Sequence, residues 1–133
     1  MFLLDTNVCV QYLRGKNVLI RQQLSSCPTH EICLCSLVLA ELYCGVLRSA
    51  KPVKNRVDVD QFATPFRCLP FDQAAADIFA GIRHYLEMQG TPIGPYDLQI
   101  AAIALANGCT LVTHNVSEFR RVPGLLVVDW ETP

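Results

Sequence analysis

The chain predicts an α/β fold built on a parallel sheet covered on both faces. Three observations carry this expectation. Short apolar runs without helical period recur at Phe2–Leu4, Ile32–Cys35, Thr110–Thr113 and Leu125–Val128, as buried strands do. Longer stretches with apolar residues at helical steps lie between them. The alternation of the two favours parallel pairing, because parallel strands need a long crossover between them.

Size and composition bound the function. The 133 residues suit one domain, expected to span 1–133 with a sizeable core. Hydrophobic residues make up 51% and mean hydropathy is +0.28, so some apolar surface is expected to be covered by a partner or a second copy. No run reaches the roughly 18 apolar residues of a membrane span. Asp5 interrupts the N-terminal apolar run and no basic residue precedes it, which argues against a signal peptide and for the cytoplasm. The net charge of −1 gives no warrant for a nucleic-acid partner by itself. However, Arg48, Lys51, Lys54, Arg56 and Arg67 gather in the middle third, away from the acids of interest. That segregation suits a basic rim around an acidic centre, and a solvated loop equally. The seven cysteines lack paired C-x-x-C spacing and read as free, mostly buried thiols rather than zinc ligands.

The first strand, Phe2–Leu4, stops at Asp5, and Thr6 and Asn7 follow. A carboxylate closing an apolar strand is costly unless it meets a cation or donors. In open α/β sheets the strand C-ends form the ligand crevice, so Asp5 is placed either to serve a site or to cap the next helix. Helical spacing then runs from Val8 to Leu13, Arg14-Gly15-Lys16 break it, and a second helix covers Asn17–Ser25 before Pro28. After the strand Ile32–Cys35, Ser36 stands where an N-cap belongs. The helix Leu37–Leu47 is expected to bury a stripe of Leu37, Ala40, Cys44 and Leu47, broadened by Leu42 and Val46. Glu41 is embedded in this apolar helix with no basic residue within four positions, so it is either exposed or aimed at a cation.

Residues 50–59 read as a loop or a helix start, and 65–71 as a short strand or extended link. Asp72 should cap the helix Gln73–Met88, with Ala76, Phe79, Ala80, Arg83 and Leu86 inward, Asp77 and Glu87 solvated, and Gly90 closing it. Gly94 and Pro95 form a turn into a helix whose first turn holds Asp97, where the macrodipole favours an anion. Leu98–Ala106 is almost wholly apolar, the mark of a central helix, so Asp97 at its tip lies close to the sheet. Beyond Gly108, the strand Thr110–Thr113 ends in His114, Asn115, Ser117 and Glu118; Phe119 docks a short turn, and Leu125–Val128 is the last strand before Asp129 and Trp130.

In a parallel sheet, Asp5 and the 114–118 segment share one edge, and Glu41 and Asp97 can project to it from early helical turns. Converging carboxylates repel one another and need a divalent cation or shifted pKa values. Oxygen ligands without a cysteine or histidine pair select Mg²⁺ or Mn²⁺, ions that commonly serve phosphate chemistry.

Four segments resemble the motifs of PIN domains: Leu-Leu-Asp-Thr-Asn at 3–7, Ser-Leu-Val-Leu-Ala-Glu-Leu at 36–42, Ile-Gly-Pro-Tyr-Asp-Leu-Gln-Ile-Ala-Ala at 93–102, and Leu-Val-Thr-His-Asn-Val-Ser-Glu-Phe at 111–119. The tail, with Arg121-Val-Pro-Gly-Leu and Val127-Val-Asp-Trp, resembles the VapC toxins of bacterial toxin–antitoxin pairs. The resemblance implies a three-layer α/β/α sandwich with a parallel sheet of about five strands, acting as a Mg²⁺- or Mn²⁺-dependent endoribonuclease on tRNA or ribosomal RNA. It implies Asp5, Glu41 and Asp97 as metal-binding acids. The usual fourth aspartate position is Asn115, so the fourth role falls to Glu118, with Asn115 as an auxiliary oxygen donor or RNA contact. Thr6 and Thr113 would support the site by hydrogen bonds. Arg48, Lys51, Lys54, Arg120 and Arg121 would hold the RNA backbone. A cognate antitoxin threading across the site, a homodimer and a larger assembly with antitoxin and operator DNA are the implied partners. The competing expectations are a PIN scaffold that binds RNA or protein without cutting, and a receiver-like phosphoacceptor. The phosphoacceptor would want a lysine after the last strand, and none follows Lys54.

Overall fold

A computed structural model describes residues 1–133. Five short strands, β1 (Phe2–Leu4), β2 (Ile32–Cys35), β3 (Arg67–Leu69), β4 (Thr110–Val112) and β5 (Val127–Val128), form one sheet in the order β3-β2-β1-β4-β5, every pair parallel. Seven helices connect them: α1 (Thr6–Arg14), α2 (Val18–Ser26), α3 (Ser36–Leu47), α4 (Pro52–Ala63), α5 (Gln73–Met88), α6 (Pro95–Ala106) and α7 (Val116–Phe119). A 3₁₀ turn at Thr29–Glu31 leads into β2. Right-handed crossovers to either side of β1 place α1–α4 on one face and α5 and α6 on the other. Packing agrees, with α1 against α2, α3 and α4, and α5 along α6. No helix is long and apolar enough to cross a membrane.

The central strands are apolar on both sides because helices cover both sides. Leu3, Leu4, Leu34, Leu111 and Val112 are essentially inaccessible, and so are Ala101–Ala104 of α6. Chain order reverses at β1, which has β2 on one side and β4 on the other. The crevice of such a sheet opens at that switch point, outside the strand C-ends. Asp5 is the residue that leaves β1 there.

Several local expectations shift. Cys35, not Ser36, holds the N-cap position of α3, and no side chain caps it. The buried stripe of α3 is Val38, Leu42 and Val46; Ala40, Cys44 and Leu47 are exposed. In α5 the inward residues are Ala75, Ile82 and Leu86, while Ala76, Ala80 and Arg83 face solvent. Both misplacements are rotations about the helix axis. An apolar residue on nearly every side leaves α3 without a phase, and alanines weakly define one in α5. The basic segment is helical: α4 begins with Pro52 at its first turn and carries Lys54–Asp58 and Arg56–Asp60 pairs one turn apart. Asp77 and Glu87 are solvated as expected, Glu87 pairing with Arg83. Thr113 follows β4 rather than ending it, and only Val127 and Val128 of the last apolar run pair, Leu126 being exposed. All seven cysteines are free, but Cys44 and Cys68 are exposed.

Leu111 lies wholly buried on β4 between β1 and β5. Leu111→Ala should lower stability by about 2–5 kcal/mol through the packing it removes and the cavity it leaves, read as a lower urea midpoint with unchanged slope.

Candidate active site

The candidate site forms where β1 and β4 end. Asp5 is held from three directions. Its N–H donates to Val112 O at 3.0 Å, extending the β1–β4 ladder. Its carboxylate Oδ1 accepts the Val8 N–H at 3.0 Å, capping α1. The Thr113 hydroxyl approaches the same carboxylate. The capping and site-serving readings of Asp5 are therefore compatible: one oxygen secures the helix while the carboxylate faces the crevice. Burial raises the Asp5 carboxyl above its usual range; Thr113 and the Val8 N–H oppose the rise, and the charges of Glu131 and Glu41 add to it.

Glu41 and Asp97 reach this point from helices on opposite faces of the sheet, and α3 touches α6. Glu41 is half-buried in the second turn of α3 and forms no ion pair. It borders a cavity of about 280 Å³ between α1, α3 and α4, lined in part by Val10, Leu13, Leu42 and Val46. Asp97 sits in the first turn of α6, beneath the Gly94-Pro95 turn. Its carboxyl is pushed up to about 6, first by burial, then by Glu118, Asp5 and Glu41, with Glu118 near enough to share a hydrogen bond. Asp5, Glu41, Asp97 and Glu118 thus lie within electrostatic reach of one another, although no three of them offer ligand atoms within 4.8 Å.

Glu118 lies in α7, the short helix after β4. Asn115 Nδ2 donates to Glu118 Oε2 at 2.6 Å, and Asn115 N donates to Thr113 Oγ1 at 3.0 Å. Thr113, fully buried, thus ties Asn115 to Asp5. Asn115 orients Glu118 with its amide nitrogen and keeps its oxygen free. Thr6 departs from expectation. Its hydroxyl is buried without any hydrogen-bond partner, because Asp5 already takes the first-turn N–H of Val8.

The expected RNA-holding residues divide. Arg48, Lys51 and Arg120 are exposed and make no ion pair. Lys54 pairs with Asp58 at 2.9 Å. Arg121 Nη1 donates to the carbonyls of Thr91 and Pro92, fastening the turn before α6. Lys54 and Arg121 are thus engaged within the protein. Arg56, grouped with them by sequence, pairs with Asp60 and lies 3.7 Å over the Tyr43 ring. Sequence reasoning missed Glu131. It lies beyond the last strand in a polar tail with no motif to flag it, and only the pairing of β4 with β5 turns it toward Asp5.

No arginine or lysine pairs with any of the four acids. An all-oxygen set, partly buried and with the Asp5 and Asp97 carboxyls raised, suits a hard divalent ion. The orphaned Thr6 hydroxyl beside Asp5 adds one more oxygen without a protein partner. The donor set therefore fits Mg²⁺ or Mn²⁺.

Residues 2–125 match the PIN domain family. The chain is 38% identical over 129 residues to the tRNA(fMet)-specific endonuclease VapC of Salmonella typhimurium, covering 97% of each chain. It is 34% identical over 132 residues to ribonuclease VapC2 of Rickettsia felis, covering 98% of each. Its fold superposes with a TM-score of 0.91 on a chain of the VapBC2 complex of Rickettsia felis bound to a promoter DNA fragment, at 34% identity and covering 97% of this chain and 98% of that one. A DNA-bound VapBC structure from Salmonella typhimurium also gives 0.91, at 38% identity over 97% of each chain.

The raised Asp97 carboxyl makes a stability prediction. A folded-state pKa above the unfolded value favours the protonated, folded form. The benefit is full below the unfolded value and is lost as pH rises through about 6. In chelator, Asp97→Asn should therefore raise the melting temperature at pH 7 and change it little at pH 4, as thermal unfolding at both pH values will show.

Proposed function

The chain belongs to the PIN domain family, and on that premise we propose that it is the toxin of a toxin–antitoxin pair, an endoribonuclease that cuts RNA to stop translation. What supports the reading is the electrostatic influence that Asp5, Glu41, Asp97 and Glu118 exert on one another, with no lysine or arginine paired to any of them. Residues 1–133 act as one nuclease domain.

Asp5, Glu41 and Asp97 hold a Mg²⁺ or Mn²⁺ ion, and Glu118, oriented by Asn115, takes the fourth position. When bound, that ion supplies positive charge for the phosphoryl oxygen and acidity for an attacking water. The chain's own groups do the rest. Asp5 is fixed by the α1 N-terminus and by Thr113, so its carboxylate needs little reorganisation. The Asp97 carboxyl, pushed up to about 6 and close enough to Glu118 to share a hydrogen bond, is placed to move a proton near neutral pH. Arg48, Lys51 and Arg120 offer charge to the RNA backbone from outside the acids. By its likeness to the Salmonella typhimurium endonuclease, tRNA is the substrate class to test first.

The VapBC complexes that the fold matches support an antitoxin partner and a larger assembly on DNA, and the high apolar content supports a toxin homodimer. Exposed Leu47, Val53 and Val57 on α3 and α4 provide apolar surface for such cover. The working compartment is the cytoplasm, where RNA and antitoxin both occur.

Purified chain should cleave tRNA in Mn²⁺ or Mg²⁺, lose that activity in chelator, and lose it on the order of 10²-fold or more as Asp5→Asn with an unchanged circular dichroism spectrum. Undiminished cleavage by folded Asp5→Asn would sink the reading, and RNA binding without cleavage by the native chain would favour the inactive scaffold. Replacing Arg48 and Lys51 by alanine should flatten the salt dependence of RNA binding by about 0.7 in log–log slope for each phosphate no longer neutralised, measured with the cleavage-deficient variant.

A further inference from the structure

We propose that His114, Asp129 and Glu131 form a second divalent-metal site, of the Zn²⁺ type, where the C-terminal tail crosses the end of β4. The site is built by pairing. Thr113 N–H donates to Val128 O at 3.0 Å, which sets His114 beside Asp129. Asp129 then folds the tail back, its Oδ1 accepting the Glu131 N–H at 2.8 Å, and so brings the Glu131 carboxylate to the same imidazole.

The donor spacing is that of ligands on one ion. His114 Nδ1 lies 3.0 Å from Asp129 Oδ2 and 3.6 Å from Glu131 Oε2, and one donor atom from each of the three residues falls within 4.8 Å of the others. Bonds of roughly 2.1 Å put neighbouring ligands about 3.0 Å apart at right angles and about 3.4 Å apart in a tetrahedron. A hydrogen bond accounts for the Asp129 contact alone, since a single Nδ1–H points along one line. It leaves Glu131 without a close partner. The Asp129 and Glu131 side chains are only 17% and 14% exposed, and no lysine or arginine pairs with either. Asp129 also accepts the Glu131 N–H and, at 3.2 Å, the Thr132 hydroxyl, whereas the Glu131 carboxylate accepts no hydrogen bond, so it is Glu131 that a shared cation would serve.

The donor set differs from that of the first site. Imidazole with two carboxylates suits zinc or a neighbouring transition ion, whereas Mg²⁺ prefers oxygen and keeps its waters. Glu131 also faces Asp5, where its charge is felt more than that of Glu41. An ion here neutralises Glu131 beside the acidic cluster and fastens the tail to β4. The proposal concerns binding and stands apart from RNA cleavage.

The chain has three histidines, so His30 and His84 serve as internal controls. Zn²⁺ titrated into the full chain, followed by imidazole resonances, should shift His114 alone and saturate at one equivalent; Mg²⁺ should leave it unmoved. Glu131→Gln should weaken Zn²⁺ binding at least tenfold with the melting temperature retained, and His114→Asn should abolish the response. Asp129 also holds the tail, so its substitution is not needed for the test. In Asp97→Asn the His114 shift should persist whether or not the native chain cuts RNA, which separates this site from the nuclease reading. An unmoved His114, equal weak shifts of all three histidines, or unchanged affinity in Glu131→Gln would each overturn the site and leave only the imidazole–Asp129 hydrogen bond.

Discussion

Like charge gathered at the end of an apolar sheet, with no lysine or arginine to offset it, is the constraint on which the rest of this molecule turns. Burial raises the cost of each carboxylate, and each neighbour raises it again; Asp5 and Asp97 both show the effect. Such an arrangement persists only if the surrounding structure overdetermines it. Here the scaffold is the parallel core, whose central strands and α6 are inaccessible over most of their length. The stability of that core offsets the repulsion at its rim.

Three of the four acids also have a structural constraint. Asp5 extends a strand ladder and caps a helix before it serves the crevice. Asp97 sits at a helix N-terminus, where the dipole compensates part of its charge. Glu118 is steered by Asn115, and Asn115 by Thr113. Thr113 therefore links β4, Asp5 and α7 through one hydroxyl.

The fold class was legible because it depends on local pattern, apolar runs without helical period alternating with helical stretches. Helix phase was less so. In α3 nearly every residue is apolar, so Leu37, Ala40, Cys44 and Leu47 compete with Val38, Leu42 and Val46 on equal terms, and only packing against α1 and α4 chooses. The basic segment, read as either a loop or a helix start, is the helix α4, whose charges pair one turn apart. Those same pairs remove Lys54 from the cations free to meet a substrate. The orphaned hydroxyl of Thr6 was likewise invisible, since its neighbour's capping bond decides it.

By itself the amino-acid order determined which residues are acidic, that Asp5 and Asp97 lie at junctions between apolar segments, and that Glu41 is set within an apolar helix. Those are properties of neighbours along the chain. Only the tertiary structure decided that Glu118 meets Asp97, that Arg121 is spent on the turn before α6, and that Glu131 turns toward Asp5. These outcomes depend on parallel pairing of β1, β4 and β5 across a hundred residues of chain, and no local preference encodes which strand lies beside which.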